Sequence, residues 1–238
     1  SIGALVVVTQ NPDGEGLPHT SAVVQDKLKL PNTVAAFDIS LGCSGYVYGL
    51  FVLKGFMEVS GLSSGILVTA DPYSKIVDQT DRSTSLLFGD AATATWLARD
   101  PRLTLDAVSY GTDGGGASYL CKENSRLNMN GRRVYYFAAS TIDGQIKALL
   151  KREGLSVGDI DLFILHQGSV GILDVISKKF GKYADRFAIG MEKTGNTVSS
   201  SIPLLLESFV HDMSRSRIIL SGFGVGLSCA SAGISRRF

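Results

Sequence analysis

The chain has 238 residues, 45% of them hydrophobic, with 23 Lys and Arg against 22 Asp and Glu. That is enough for one large core or two half-domains, and the balanced charge gives no basic excess of the kind nucleic acid requires. Three cysteines do not make a disulfide framework and fit a reducing cytoplasm, and Lys54 interrupts the longest apolar run before it could span a bilayer.

Residues 4–8 (Ala-Leu-Val-Val-Val) read as a buried strand, and no signal peptide is expected. A helix follows near 19–29, and 35–40 is a second strand. Gly42-Cys43-Ser44-Gly45 then turns the chain into 46–53, Tyr-Val-Tyr-Gly-Leu-Phe-Val-Leu, a helix apolar on every face and so a core helix. Cys43 stands at its N-terminal end, where unpaired N–H groups and the helix dipole favour a thiolate. The small residues around it leave room for a substrate. The other reading of Cys43 is a small buried hydrophobe, which is what most free cysteines are. Strands at 65–70 and 91–98 complete the first half.

A strand near 104–109 opens the second half, and a helix near 139–153 leads to strand 162–165. A helix over 169–180, a strand at 186–189, a helix over 196–211 and strands at 218–220 and 227–234 follow. Apolar runs of four to six residues between helices indicate strands covered on both faces, hence α/β with a largely parallel sheet. The halves, 1–100 and 101–238, repeat each other. Cys43 and Asn196 each open a helix after the corresponding strand, and both helix starts are rich in small residues, so they could meet at a pseudo-twofold axis. The first half has no counterpart of strand 104–109, so leading residues are expected to be absent.

Three histidines compete to partner Cys43. His211 falls late in an amphipathic helix, suits the negative dipole end and reads as solvated. His19 lies in a loop entering a helix, on the surface or in a lid. His166 ends strand 162–165, and α/β sheets bind ligands at the carboxyl ends of their strands. The competing readings are a satisfied core histidine for His166 and an ordinary N-cap for Asn196. No Cys/His cluster has zinc spacing.

Ser40-Leu41-Gly42-Cys43-Ser44-Gly45, Phe88-Gly89-Asp90-Ala91-Ala92, His166-Gln167, Gly195-Asn196-Thr197 and Gly222-Phe223-Gly224-Val225-Gly226 follow one another at characteristic separations. Together they resemble the motifs of β-ketoacyl-acyl-carrier-protein synthase III, one of the thiolase-fold condensing enzymes. The resemblance implies a thiolase-like α/β fold: two pseudo-duplicated βαβαβ-type halves whose sheets sandwich central helices, lacking here a first strand and helix. It implies a cytoplasmic homodimer that initiates fatty-acid-type synthesis by decarboxylative Claisen condensation. The substrates would be acyl-CoA and malonyl-acyl-carrier protein, without metal or cofactor and with no nucleic-acid or membrane partner.

Under the same resemblance Cys43 is the nucleophile, His166 and Asn196 hold the enolate, and the backbone N–H groups of Cys43 and Val225 form the oxyanion hole. Phe223 and Gly224 bind substrate, and Arg82 lies against the adenine of coenzyme A. Leu17, before a proline, closes the acyl pocket of the other subunit, and Lys178 and Lys179 dock the carrier. The chain departs from the pattern at Gly168-Ser169 (Ala-Asn in the family), at Gly171 (a basic residue) and at Tyr136 (often a carrier-contacting lysine). These departures keep open a relative that transfers or condenses an unusual acyl group. A non-catalytic partner subunit is a third reading, against which the retained Cys43, His166 and Asn196 argue.

Overall fold

Leu5, Val6 and Val8 have no solvent exposure, and Val7 almost none, so the strand they form needs a layer on each face. A computed structural model, which describes residues 2–237, supplies both layers. β1 (Ala4–Val8) pairs in parallel with β2 (Ala35–Ile39) and β3 (Ser64–Ala70), and β3 pairs antiparallel with β4 (Ala92–Ala98). On one face Asp38, in register with Val7, accepts the first N–H groups of helix α1 (Thr20–Lys27). On the other face Ala4, Val6 and Val8 pack against helix α2 (Gly45–Val59).

Four strands from the rest of the chain form a second sheet. β5 (Leu103–Thr112) borders β10 (Ser228–Arg236), followed by β9 (Arg217–Gly224) and β8 (Leu162–Leu165). Helices α3 (Gly131–Arg152) and α4 (Val170–Lys178) cover its outer face through Ile142, Ile146, Leu173 and Ile176. Between the two sheets lie α2 and α5 (Ser201–Glu207), whose Tyr46, Leu50, Leu53, Ile202 and Leu206 join one core with residues of both sheets. The two sheets sandwich central helices, as the resemblance implied. Gly49 lets α2 sit close, because a Cβ there would meet Leu67 of β3 at 2.8 Å. Cutting a fully buried side chain such as Leu53 to Ala would cost about 2–5 kcal/mol.

The internal repeat is visible in the strand order. The parallel pairs β1–β2 and β1–β3 and the antiparallel pair β3–β4 recur as Phe163–Phe187, β8–β9 and β9–β10. Both sheets are mixed rather than largely parallel, because β4, β5 and β10 all pair antiparallel with their neighbours. The predicted strand at 186–189 shrinks to that single Phe163–Phe187 bridge, after which Gly190 turns to the Gln167 side chain.

The predicted helix over 196–211 is broken. Val198 has a left-handed backbone (φ 52), a short turn of 3-10 helix covers Val198–Ser200, and α5 ends at Glu207, beyond which Arg236 takes the Phe209 and Val210 carbonyls. Helix α3 starts eight residues before its predicted position. Its first two turns are mostly exposed and show no apolar period, but the Asn130 side chain caps the Arg133 N–H. A hairpin of β6 (Leu120–Glu123) and β7 (Arg126–Met129) was not predicted at all.

Candidate active site

Strands β2, β3, β8 and β9 end on the same side of the molecule: the segments leaving the first three carry Cys43, Asp71 and His166, and β9 itself ends in Gly224. Cys43, His166 and Asn196 line one pocket of about 160 Å³ together with Phe223 and Gly224. All three are almost fully buried, at 5%, 3% and 5% exposure. The structure thus brings together the residues that the sequence singled out from three distant motifs.

Cys43 sits in the turn before α2. The small residues around it serve packing rather than substrate access: a Cβ on Gly42 would strike the Gln10 side chain at 2.5 Å, and one on Gly45 would strike Val8 at 2.5 Å. Ser44 shares a 2.8 Å hydrogen bond with Ser228 of β10, which ties the turn to the second sheet. Gly222 and Gly224 approach from β9, and a Cβ on either would overlap the Cys43 carbonyl or sulfur.

Electrostatics at the sulfur differ from the sequence expectation of a thiolate. Burial, reinforced by the charge of nearby Asp71, pushes the Cys43 thiol up to about 12. Backbone hydrogen bonds from Val225 and from Cys43 itself oppose this and do not overcome it. The helix dipole does not offset this: α2 begins only at Gly45, and even in a partly buried geometry a charge at a helix start gains no more than about 2 kcal/mol. Those two backbone groups are nonetheless the pair expected to form the oxyanion hole.

His166 follows β8, and burial draws its imidazole down to about 3, partly opposed by a backbone hydrogen bond to Val198. It is therefore neutral at pH 7 and forms no ion pair with Cys43. Its Nδ1 lies 2.7 Å from the Ser201 Oγ, and its ring meets Phe223 edge-on at 5.6 Å.

Asn196 is held from the first half. Its N–H donates to the Leu87 carbonyl and its own carbonyl accepts from the Gly89 N–H, at 2.9 and 3.0 Å. Only glycine fits at position 89, where a Cβ would stand 2.0 Å from the Thr194 carbonyl oxygen. The side-chain Oδ1 accepts the Val198 N–H at 2.9 Å, which leaves the Asn196 amide NH2 as the donor end. Val198 then packs in one cluster with Cys43 and Tyr73, so the two corresponding segments after the strands of each half do meet.

Sequence reasoning missed several groups here. Ser199, Ser200 and Ser201 are buried and face three different ways: Ser199 donates to Asp71, Ser200 to the Thr69 and Ala91 carbonyls, and Ser201 meets His166. Asp71 is fully buried, accepts the Gln10 N–H at 2.7 Å, and is held by burial above the usual carboxylate range. Phe88, Leu120 and Met129 form apolar walls. Three consecutive serines just past Asn196 were the available signal.

Leu17, Arg82, Lys178 and Lys179 are exposed and outside this pocket. Lys178 pairs with Asp174, and Lys179 with Asp143. Among the described residues no group of three or more His, Cys, Asp or Glu could hold a metal ion, and no helix is long and apolar enough to cross a membrane.

Residues 37–126 match the sequence family described as 3-oxoacyl-[acyl-carrier-protein (ACP)] synthase III, and residues 150–235 match its C-terminal part. The chain belongs to the 3-oxoacyl-[acyl-carrier-protein] synthase III family. It is similar to the β-ketoacyl-[acyl-carrier-protein] synthase III of Lactococcus lactis subsp. cremoris, at 34% identity over 97% of this chain and 77% of that one. The enzyme of the same name from Streptococcus mutans is 33% identical over 97% and 76%. Among solved structures, β-ketoacyl-[acyl carrier protein] synthase III from Thermus thermophilus superposes with a TM-score of 0.90 at 31% identity, covering 99% of this chain and 78% of that one. A 2.1 Å crystal structure of 3-oxoacyl-(acyl-carrier-protein) synthase III gives 0.92 at 33%, over 98% and 78%. The fold is thiolase-like.

Proposed function

We propose that Cys43, His166 and Asn196 carry the two half-reactions of a decarboxylative condensation. The chain is a condensing acyltransferase of the kind that initiates fatty-acid synthesis. In the first step the Cys43 sulfur attacks the carbonyl of an acyl-CoA. A thioester forms on the protein, the bond to coenzyme A breaks, and the thiol proton ends on the released coenzyme A. The N–H groups of Cys43 and Val225 face the sulfur and receive the charge that develops on the acyl oxygen.

In the second step malonyl-acyl-carrier protein loses carbon dioxide. The electron pair of the broken carbon–carbon bond passes into an enolate, whose oxygen takes hydrogen bonds from His166 and Asn196. The enolate carbon attacks the acyl thioester, the 3-oxoacyl product leaves on the carrier, and Cys43 recovers a proton from water. A neutral imidazole and a carboxamide suit this work, since a carboxylate would repel the enolate.

The convergence of three buried polar side chains on one apolar-walled pocket supports this reading. The relatives favour it over transfer of an unusual acyl group. We place the reaction in the cytoplasm, in keeping with three free cysteines. We also infer a homodimer, in which the half-buried edge strand β2 pairs with its copy and the exposed Leu17 reaches the partner's acyl pocket. Arg82 would meet the adenine of coenzyme A, and Lys178 and Lys179 the carrier. The deciding experiment is mass spectrometry of the protein with a panel of acyl-CoA donors, then with malonyl-acyl-carrier protein. An acyl adduct on Cys43 that is consumed to 3-oxoacyl product is expected. A chain that takes no acyl group from any donor would refute the proposal.

A further inference from the structure

We propose that the hydroxyl of Tyr73 sets the length of the acyl chain that Cys43 accepts, admitting short chains and rejecting saturated ones long enough to cover it. This rests on the acyl-transfer reading above and deepens it. Tyr73 is 3% exposed, and its hydroxyl has no hydrogen-bond partner among the described residues. Tyr46, the other deeply buried tyrosine, shares its hydroxyl with Thr95 Oγ1 at 3.2 Å. The carboxylate nearest in the chain is already engaged: Asp71 accepts from the Gln10 N–H, from Ser199 through hydroxyl and N–H, and from the Thr9 hydroxyl.

The phenol keeps its proton, because burial and then the charges of Cys43 and Asp71 push it well above the usual tyrosine range. It is therefore a donor in need of an acceptor. Its oxygen is not sealed in, as the unpartnered hydroxyls of Ser21 and Thr197 are, and Tyr73 lines the pocket with Cys43, where entering solvent can satisfy it. Nor can the ring turn aside. The Tyr73 N–H donates to the Asp71 carbonyl at 2.8 Å, and its own carbonyl accepts the Ile76 and Val77 N–H groups at 3.0 and 2.9 Å. Asn11 and Asp90 hold Pro72 and Ser74 on either side, and Phe88 lies against the ring at 5.0 Å.

An acyl group on Cys43 has Phe88, Leu120 and Met129 for walls, and Tyr73 packs in one cluster with Cys43 and Leu120. In a pocket of about 160 Å³, a chain long enough to reach the phenol drives water from it. A saturated chain offers no acceptor in return, so the hydroxyl is left dry and unpaired, and a site with such a group discriminates against the ligand that strands it. An acetyl group leaves the hydroxyl wet. Tyr73 thus limits chain length by its oxygen as well as by the bulk of its ring.

The test compares donors by length. Acylation of Cys43 by acetyl-, butyryl- and hexanoyl-CoA is timed by mass spectrometry in the wild type and in Tyr73→Phe, which keeps the ring and removes only the hydroxyl. The wild type should favour acetyl, and the variant should raise hexanoyl relative to acetyl by about tenfold. A ratio that the substitution does not move, or a wild type that favours hexanoyl, overturns the proposal. A lower urea midpoint in Tyr73→Phe overturns it too, since the hydroxyl would then have a partner inside the protein. A second arm needs no acyl transfer: calorimetry on Cys43→Ala should show hexanoyl-CoA gaining about tenfold on acetyl-CoA when Tyr73→Phe is added, and no gain overturns the proposal. If Cys43 takes no acyl group from any donor, the functional reading falls while the binding arm still decides the role of Tyr73.

Discussion

A methyl group on the Gly224 Cα would stand 2.7 Å from the Cys43 sulfur. Strand β9 therefore ends against the nucleophile and fixes where the sulfur can be. Gly224→Ala should push Cys43 from its place, cutting the acylation rate by more than about tenfold at a stability cost of about 1–3 kcal/mol. Rapid-quench mass spectrometry of the acyl-enzyme and urea melts measure the two effects. Unchanged acylation would mean that the sulfur has room to move.

Labelling of the cysteines should depend on what the reagent can bind. An acyl-CoA donor should modify Cys43, while iodoacetamide, with no binding energy to spend, should reach the half-buried Cys121 first. With its thiol pushed up to about 12, Cys43 should alkylate about tenfold faster per pH unit from pH 7 to 9, without levelling off. Peptide mapping after timed quenching checks both statements.

His166 should leave its mark on acid stability. It stays neutral in the folded chain down to about pH 3, whereas the unfolded chain takes up that proton near 6.5. Between these values the unfolded state binds more protons, so stability falls as pH drops from 6.5 toward 3. Replacing His166 by Asn should make the loss between pH 7 and 5 smaller, as measured by urea midpoints.

Asn196→Ala should separate the half-reactions. Removing one donor to a developing oxyanion typically costs a factor of about 10²–10³. Decarboxylation of the malonyl substrate should fall by that amount, with acylation of Cys43 largely intact. If both steps fall equally, Asn196 only shapes its turn through the bond to the Val198 N–H.

Asp71 raises the Cys43 thiol by its charge. Asp71→Asn keeps the shape and an acceptor for the Gln10 N–H, and should bring the thiol down from about 12. A pH–alkylation profile of Cys43 in this variant should therefore shift to lower pH. A profile identical to that of the wild type would show that burial alone sets the thiol.

The sequence revealed what burial and glycine spacing encode. Strand 4–8 could be read because each residue in it is apolar, Cys43 because it stands among small residues before a core helix and His166 because it ends a strand, whereas Asn196 read by itself as an N-cap and took its role only from the family resemblance. The contacts that tune them run between residues far apart in the chain, such as His166 with Ser201 or Asp71 with Ser199, and no local pattern announces those. The β6–β7 hairpin was missed because its strands are only four residues long and bury a single residue each, so alternation had little to act on. Its turn residues Asn124 and Ser125 both adopt a left-handed backbone, and an asparagine there was the available hint. The thiolate expectation failed for a different reason: the sequence shows a helix start but not how completely the two sheets enclose it.

Enclosure of α2 by both sheets also bears on how this enzyme could change its diet. A nucleophile on an immobile post gains nothing from remodelling the post, and substitutions there unsettle the whole core. The pocket is also walled by Leu87 and Phe88 on a connecting segment and by Leu120 and Met129 at the base of a two-stranded hairpin. Preference for a longer or bulkier acyl chain is therefore most readily acquired on that wall, where side chains can be exchanged while the reacting groups stay in place.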